Sequence, residues 1–74
     1  MTVAQLRQVI GEALAVVPFT PPLDVDYCGK AMAELRARLP GAVLEVNDVG
    51  GKHTTLRVEA RDGAARGVIE VRVG

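Results

Sequence analysis

The sequence predicts an α+β fold, a two-layer α-α-β-β-β domain with two helices packed on one face of a three-stranded antiparallel meander. Three observations support this prediction. Apolar residues recur at helical spacing in two segments of the first 39 residues, and they alternate with polar residues in three later runs. Segments rich in proline or glycine separate these runs, as expected where a chain turns.

The first helix is predicted over about residues 3 to 17. Thr2 and Gln5 have the spacing of a capping box, in which each side chain bonds a backbone amide of the other residue. Gly11 interrupts the helix at a cost of about 1 kcal/mol relative to alanine. Close approach by another backbone would explain Gly11, and so would chance. The apolar stripe consists of Leu6, Val9, Ile10, Ala13, Leu14 and Val17.

The second helix follows a proline-rich segment. Three prolines in residues 18–23 end the first helix, and this stiff segment is either a spacer or an exposed recognition segment. Asp24 or Asp26 is the expected N-cap, and Pro40 with Gly41 ends the helix. Its apolar stripe consists of Tyr27, Cys28, Ala31, Met32, Leu35 and Leu39.

A β-hairpin organises the rest of the chain. Residues 42–48 and 54–60 each alternate apolar and polar side chains, and Gly50 with Gly51 supplies the turn between them. A slip of one residue would move every side chain to the other face. The alternation therefore restricts the register to every second choice.

Among these choices we predict Glu45 opposite Arg57. The third strand, residues 67–73, follows a turn at 61–66 and pairs so that Arg57 also meets Glu70. These three residues then form a charged stripe on the solvent face, in which each pair contributes about a few tenths of a kcal/mol. The predicted role of the stripe is to control the register and to keep the protein soluble. The implied inner pairs are Leu44 with Val58, Val46 with Leu56, Ala60 with Gly67, Val58 with Ile69 and Leu56 with Val71.

The composition of the 74 residues indicates a single domain, residues 1–74, in the cytoplasm. The single Cys28 excludes an intrachain disulfide, and there is no basic leader and no run of about 20 apolar residues, so no membrane is expected. Nine basic side chains balance nine acidic ones. Without a basic surplus or aromatic residues on the strands, nucleic acid is disfavoured as a partner.

The outer strands of the meander suggest an interaction surface. Neither carries a proline or a bulge signal, and their outward Val43 and Val68 are apolar. We therefore expect a homodimer, formed by strand addition or through the outer sheet face, with Arg57 and Glu70 on the same surface. The alternative is a monomer with two exposed valines.

A second candidate site lies at one pole of the domain. Because Pro40 and Gly41 reverse the chain, the first strand should run back along the second helix and bring the hairpin turn to the start of that helix. Backbone amides and a lysine there could hold an anion or contact a partner. The residues are Gly50, Gly51, Lys52, His53 and Tyr27. The alternative is an ordinary hairpin turn, since a phosphate loop joins a strand to a helix.

The same pole raises the question of catalysis. Cys28 lies near a helix N-terminus, where the dipole lowers a thiol pKa, and His53 could act as its base. No orienting third group or oxyanion hole is visible, and Cys28 lies on the apolar stripe, which favours a structural thiol. With Asp24, Asp26 and Asp48 these residues match no spacing of metal ligands. The sequence predicts no catalytic residues, no metal and no cofactor.

The predicted function is a non-enzymatic protein-interaction domain or small subunit that self-associates. Its expected partner is a protein, with a homo-oligomer as the leading case. Weak binding of an anion or nucleotide at residues 50–53 is the alternative. A nucleic-acid-binding module is the third hypothesis.

Overall fold

The computed structural model describes residues 1–18, 24–49, 51 and 54–72. The elements are α1 (Val3–Val16), α2 (Val25–Arg38), β1 (Val43–Asp48), β2 (Thr55–Asp62) and β3 (Ala65–Arg72). The strands form one antiparallel sheet in the order β1-β2-β3, and both helices contact it. The predicted α+β architecture is confirmed.

Both helices begin at predicted caps. The Thr2 hydroxyl accepts a hydrogen bond from the Gln5 N–H at 3.1 Å, and the Thr2 N–H donates to Gln5 Oε1 at 2.8 Å, which completes the capping box. For α2 the N-cap is Asp24, whose carboxylate accepts from the Tyr27 N–H at 2.8 Å. Asp26 lies in the first turn, where its negative charge suits the helix dipole.

The two helices cover one face of the sheet. α1 packs on β3 and β2, whereas α2 packs on β1 and against α1. The buried apolar residues between the layers are Leu6, Ile10, Ala13, Tyr27, Ala31, Leu35, Leu39, Leu56, Val58 and Ala60. Each helix therefore buries the stripe that its 3.6-residue spacing predicts.

The pairing of β2 with β3 is as predicted, with Arg57 opposite Glu70. The strands are longer than expected, so most of the predicted turn at 61–66 is strand. Gly63 and Ala64 form the short turn that remains. Gly63 has a φ of 62°, a conformation that glycine adopts without steric cost.

The predicted pairing of β1 with β2 is wrong by two residues. Glu45 lies opposite Glu59 instead of Arg57, so the stripe of Glu45, Arg57 and Glu70 does not form. The predicted contact between Arg57 and Glu70 is present, with Arg57 Nε 3.8 Å from Glu70 Oε1. A shift of two residues keeps every side chain on its predicted face, which is why alternation did not reveal it.

Packing on the helix-covered face explains the observed register. Leu44 lies opposite Ala60, and Ala60 lies opposite Gly67 on β3, so one large side chain shares this row with two small residues. The predicted register would have put Ala42 in place of Leu44 and left three small residues beneath the helices. Protein interiors disfavour such gaps because they are close-packed.

Close backbone approach occurs at Gly67 rather than at Gly11. Gly11 is exposed, and a methyl group placed there meets no described atom within 4 Å beyond its local helix backbone, so close approach does not explain Gly11. At Gly67 the methyl carbon would lie 2.9 Å from the Cβ of Leu6. α1 therefore packs directly on the backbone of β3, where only glycine fits.

β1 runs back along α2, as the reversal at Pro40 predicts. Asp48, the last residue of β1, lies close enough to Cys28 in α2 to affect the pKa of its thiol. At the opposite pole, Pro40 and Asp62 line the same shallow pocket. The end of β1 therefore lies beside the start of α2, as predicted, whereas Gly50, Lys52 and His53 of the hairpin turn lie outside the described residues.

Residues 19–23 of the proline-rich segment lie outside the described residues, so the choice between spacer and recognition segment is untested. α1 and α2 have 14 residues each. Within the part of the chain that the structure describes, no helix has the length and apolar character needed to cross a bilayer.

Candidate functional site

The residues predicted to form an interaction surface lie together on the sheet face that is turned away from the helices. On this face the odd residues of β1 and β2 align with the even residues of β3. The face therefore contains all four predicted residues, Val43, Arg57, Val68 and Glu70. Val43 and Glu70 are exposed, whereas Arg57 and Val68 are half-buried. We call this surface the outer face.

A nearly buried carboxylate lies at the centre of the outer face. The Glu59 side chain is only 8% exposed, and its Oε1 accepts hydrogen bonds from Arg66 Nη2 at 2.7 Å, Arg66 Nε at 3.0 Å and Arg57 Nη2 at 3.2 Å. Arg61 Nε lies 3.4 Å from Glu59 Oε2. These three cations compensate for the lost hydration of Glu59 and for its position opposite Glu45. We call the four residues Glu59, Arg57, Arg61 and Arg66 the Glu59 cluster.

The hydrogen bonds from Arg66 are the largest cause that holds the pKa of Glu59 below its ordinary value, and Arg57 adds to the effect. Burial acts in the opposite direction. Glu59 is therefore ionised at neutral pH and orients the guanidinium groups around it. The cluster was not predicted, although cationic, anionic and cationic residues at 57, 59 and 61 of one strand are a signal for it.

Glu59→Gln is expected to destabilise the fold at neutral pH and to change its response to acid. A carboxylate whose folded pKa is lowered contributes stability above its unfolded pKa and loses that contribution as pH falls through the folded value. For Glu59 the loss begins near the ordinary pKa of 4.5 and continues below it. Urea denaturation between neutral and acidic pH should show the wild-type and variant stabilities converging as the pH falls.

Glu45→Gln is the matched control, since it makes the same change at the exposed residue directly opposite on β1. Its effect on stability at neutral pH is expected to stay within about 0.5 kcal/mol. Equal responses of the two variants at every pH would show that the arginines do not hold Glu59 in the way described.

Tyr27, one of the residues of the predicted anion site, links the two helices. Its hydroxyl donates a hydrogen bond at 3.1 Å to the carbonyl of Val17, the C-cap of α1. Burial raises the pKa of that hydroxyl, and the charge of Cys28 adds to the shift. The contact satisfies a carbonyl at a helix end, so Tyr27 has a structural role.

A groove of about 630 Å³ opens beside Tyr27, between the end of α1 and the start of α2. Its charged lining is mostly acidic, with Asp24, Asp26 and Glu34 against Lys30. Such a lining attracts cations and repels anions. The described part of this pole therefore does not favour the predicted anion.

Known proteins give no guide to either surface. No family model, curated protein or solved structure matches the chain. What the protein does is therefore inferred from its own residues.

The anion site remains a prediction. Its proposed residues are Gly50, Gly51, Lys52, His53 and Tyr27. Gly50, Lys52 and His53 lie outside the described residues, and Gly51 is an exposed turn residue. Asp48, at the neighbouring end of β1, adds a negative charge near the turn.

Cys28 does not have the activated thiol that a helix N-terminus would favour. Burial raises the pKa of the thiol, and the charges of Asp48 and Asp24 raise it further, so the predicted effect of the helix dipole is overcome. A raised pKa lowers the thiolate fraction and with it the nucleophilicity. Its suggested base, His53, lies outside the described residues. Within the described ranges, no three His, Cys, Asp or Glu side chains group as metal ligands.

Proposed function

We propose that the protein is a small non-enzymatic interaction domain or subunit that associates with other copies of itself through a sheet edge or the outer face. The observation that carries the proposal is the uneven cover of the sheet. Both helices pack on one face of the sheet, whereas no described helix packs on the outer face and no described strand pairs with the free edge of β1 or of β3.

The free strand edges are suited to pairing. β1 has six residues and β3 has eight, lengths that are typical of strands in sheets. Neither contains a proline, so each presents an uninterrupted row of backbone N–H and C=O groups. Such rows pair with strands of another chain unless something blocks them.

Apolar residues along the outer strands add to this tendency. Val43 is 57% exposed and Val49 is 50% exposed, and both lie at the β1 side of the sheet. Val68 is half-buried on β3. Association that covers these side chains gains about 25 cal/mol for each Å² of apolar surface removed from water.

The charges of the outer face suit a protein partner better than nucleic acid. Its charged residues are Arg57, Arg61, Arg66, Arg72, Glu45, Glu59 and Glu70. Three of the four arginines already contact Glu59. Phosphate binding takes a basic surplus, whereas mixed charges can be complemented by the mixed charges of a second protein surface.

The protonated state of Cys28 supports the non-enzymatic part of the proposal. It is the one cysteine in the sequence, and its raised pKa makes it a poor nucleophile at neutral pH. The Glu59 cluster is satisfied internally by ion pairs, which is typical of a structural network.

Sedimentation equilibrium of the full chain tests the proposal. Over total concentrations of about 10⁻⁶ to 10⁻³ M, the weight-average mass should rise above the 7.8 kDa of one chain. The double change Val43→Asp and Val68→Asp should suppress the rise. Val25→Asp should not, because Val25 is 87% exposed at the start of α2, where a negative charge is tolerated. A mass that stays at one chain throughout would contradict the proposal.

A further inference from the structure

The free side of β3 can be assigned from hydrogen-bond alternation. Successive residues of an antiparallel strand turn their N–H and C=O groups to opposite neighbours. Because the Thr55 carbonyl accepts from the Val49 N–H at 3.0 Å, odd residues of β2 bond toward β1 and even residues bond toward β3. Their β3 partners are odd-numbered. The even residues Arg66, Val68 and Glu70 therefore turn their N–H and C=O groups to the free side, with side chains on the outer face.

We propose that β3 pairs with β3 of a second copy, antiparallel, about a two-fold axis at Val68. This inference rests on the self-association proposed above and names its surface. In the pair, Val68 lies opposite Val68 of the second copy, and Arg66 lies opposite Glu70 twice, once on each side of the axis. The contact is isologous, so it closes as a dimer with a six-stranded sheet.

The side chains on the outer face complement one another in this pairing. The hydrogen bonds of Arg66 to Glu59 use its Nε and Nη2 atoms, and the guanidinium group carries further N–H donors on Nη1. The Glu70 side chain is 57% exposed, and its only described ion pair is a long one, with Oε1 3.8 Å from Arg57 Nε. Its carboxylate can therefore also accept a hydrogen bond from Arg66 of the second copy. Two ion pairs then flank an apolar Val68 pair, an arrangement that stabilises antiparallel strands.

The charges select one register. Sliding the second copy by two residues in one direction places Arg66 opposite Arg72, which is repulsive. Sliding it in the other direction places Arg66 opposite Val68 and removes both ion pairs. Only the register centred on Val68 pairs each Arg66 with a Glu70.

The helix-covered face fits the same register. Gly67 lies opposite Ile69 of the second copy, and Ala65 lies opposite Val71, so small residues meet large ones. Ile69 and Val71 are half-buried in one chain, which shows that α1 leaves part of this edge uncovered. A second copy of β3 would remove that apolar surface from water.

The other edge is less suited to pairing with itself. β1 carries Glu45 and Asp48 and no cation. Two antiparallel copies of β1 would therefore form no ion pair in any register, whereas the β3 register centred on Val68 forms two.

Disulfide trapping tests the position of the axis. Residues of a hydrogen-bonded antiparallel pair have Cα atoms about 5.5 Å apart, which is within the range of a disulfide. Val68→Cys with Cys28→Ser should oxidise to a covalent dimer at micromolar concentration. Val43→Cys with Cys28→Ser is the matched control, because Val43 is the more exposed valine and would react faster through random collisions. Trapping no faster at 68 than at 43 would overturn the proposal.

Charge reversal tests the ion pairs. Glu70→Arg is expected to raise the dimer Kd by about tenfold or more, because two attractions become two repulsions. Glu45→Arg makes the same change on the β1 edge and should leave the Kd within about twofold. Circular dichroism checks folding, and the milder Glu70→Gln, which leaves no repulsion beside Arg57, should still raise the Kd about threefold. Equal effects at residues 70 and 45 would overturn the proposal.

The two proposals fail separately. If the wild-type chain self-associates but Val68→Cys is not trapped and Glu70→Arg has no effect, the β3 pairing is wrong while self-association stands. If the wild-type chain remains a monomer at every concentration, both proposals are wrong.

Discussion

Leu35→Ala is expected to lower the free energy of unfolding by about 2–5 kcal/mol, as truncation of a buried leucine does in other protein cores. Leu35 is fully buried in α2, the helix that packs on both β1 and α1. Truncation would leave a cavity that these rigid elements can fill only in part. Domains are stable by about 0.05–0.15 kcal/mol per residue, so a chain of 74 residues would lose a large part of its stability.

Urea denaturation followed by circular dichroism measures the effect, and Leu14→Ala is the matched control. Leu14 is half-buried in α1, so the same chemical change removes less buried surface and should cost less than half as much. Because a dimer is more stable at higher concentration, both variants are compared with the wild type at two concentrations. Equal costs at residues 35 and 14 would contradict the assignment of Leu35 to the core.

The helices and the faces of the strands could be predicted because each depends on local spacing. Leu6, Ile10 and Leu35 lie at helical intervals, and the alternation around Val58 divides the strand into two faces whatever its neighbours are. The capping box at Thr2 is local as well. These features are set by residues within one or two turns of each other.

The register of β1 depends on residues that are distant in sequence, so it could not be predicted from alternation. It is decided by whether Leu44 or Ala42 fills the row of Ala60 and Gly67, and that row exists only when all three strands and α1 are together. The same limit applies to any two-residue shift in a sheet with one buried face.

Only part of the candidate surface could be predicted, because some of its residues depend on local alternation and others on distant parts of the chain. Val43, Val68 and Glu70 depend only on face assignment, which alternation supplies. The Glu59 cluster depends on the length of the β2–β3 hairpin, because Arg61 and Arg66 join the sheet only when the turn contracts to Gly63 and Ala64.

The state of Cys28 shows a different limit. A helix N-terminus lowers the pKa of a thiol, whereas burial raises the pKa of Cys28 most and the charges of Asp48 and Asp24 raise it further. The sequence predicts that β1 returns to the start of α2, but not how far the packing around Cys28 buries the thiol. The direction of the shift therefore required the tertiary structure.

Gly67→Ala is expected to lower the free energy of unfolding by about 1–3 kcal/mol, as overpacking does in a filled interior. Two effects compete. Alanine restricts the unfolded chain, which by itself would stabilise the fold by about 0.4–1 kcal/mol. Against this, the new methyl carbon would lie 2.9 Å from the Cβ of Leu6. That atom is bonded to the backbone of α1, so relief requires the helix to move away from β3, and the steric cost prevails.

Gly11→Ala is the control that separates these effects. It makes the same change at an exposed position in α1, where the added methyl group has no described neighbour within 4 Å beyond the local helix backbone. Only the gain in helix propensity remains, so the variant should be more stable than the wild type by about 0.5–1 kcal/mol. Opposite signs at residues 67 and 11 would locate the contact between α1 and the sheet at Leu6 and Gly67. A stabilising Gly67→Ala would show that α1 packs farther from β3 than the 2.9 Å approach requires.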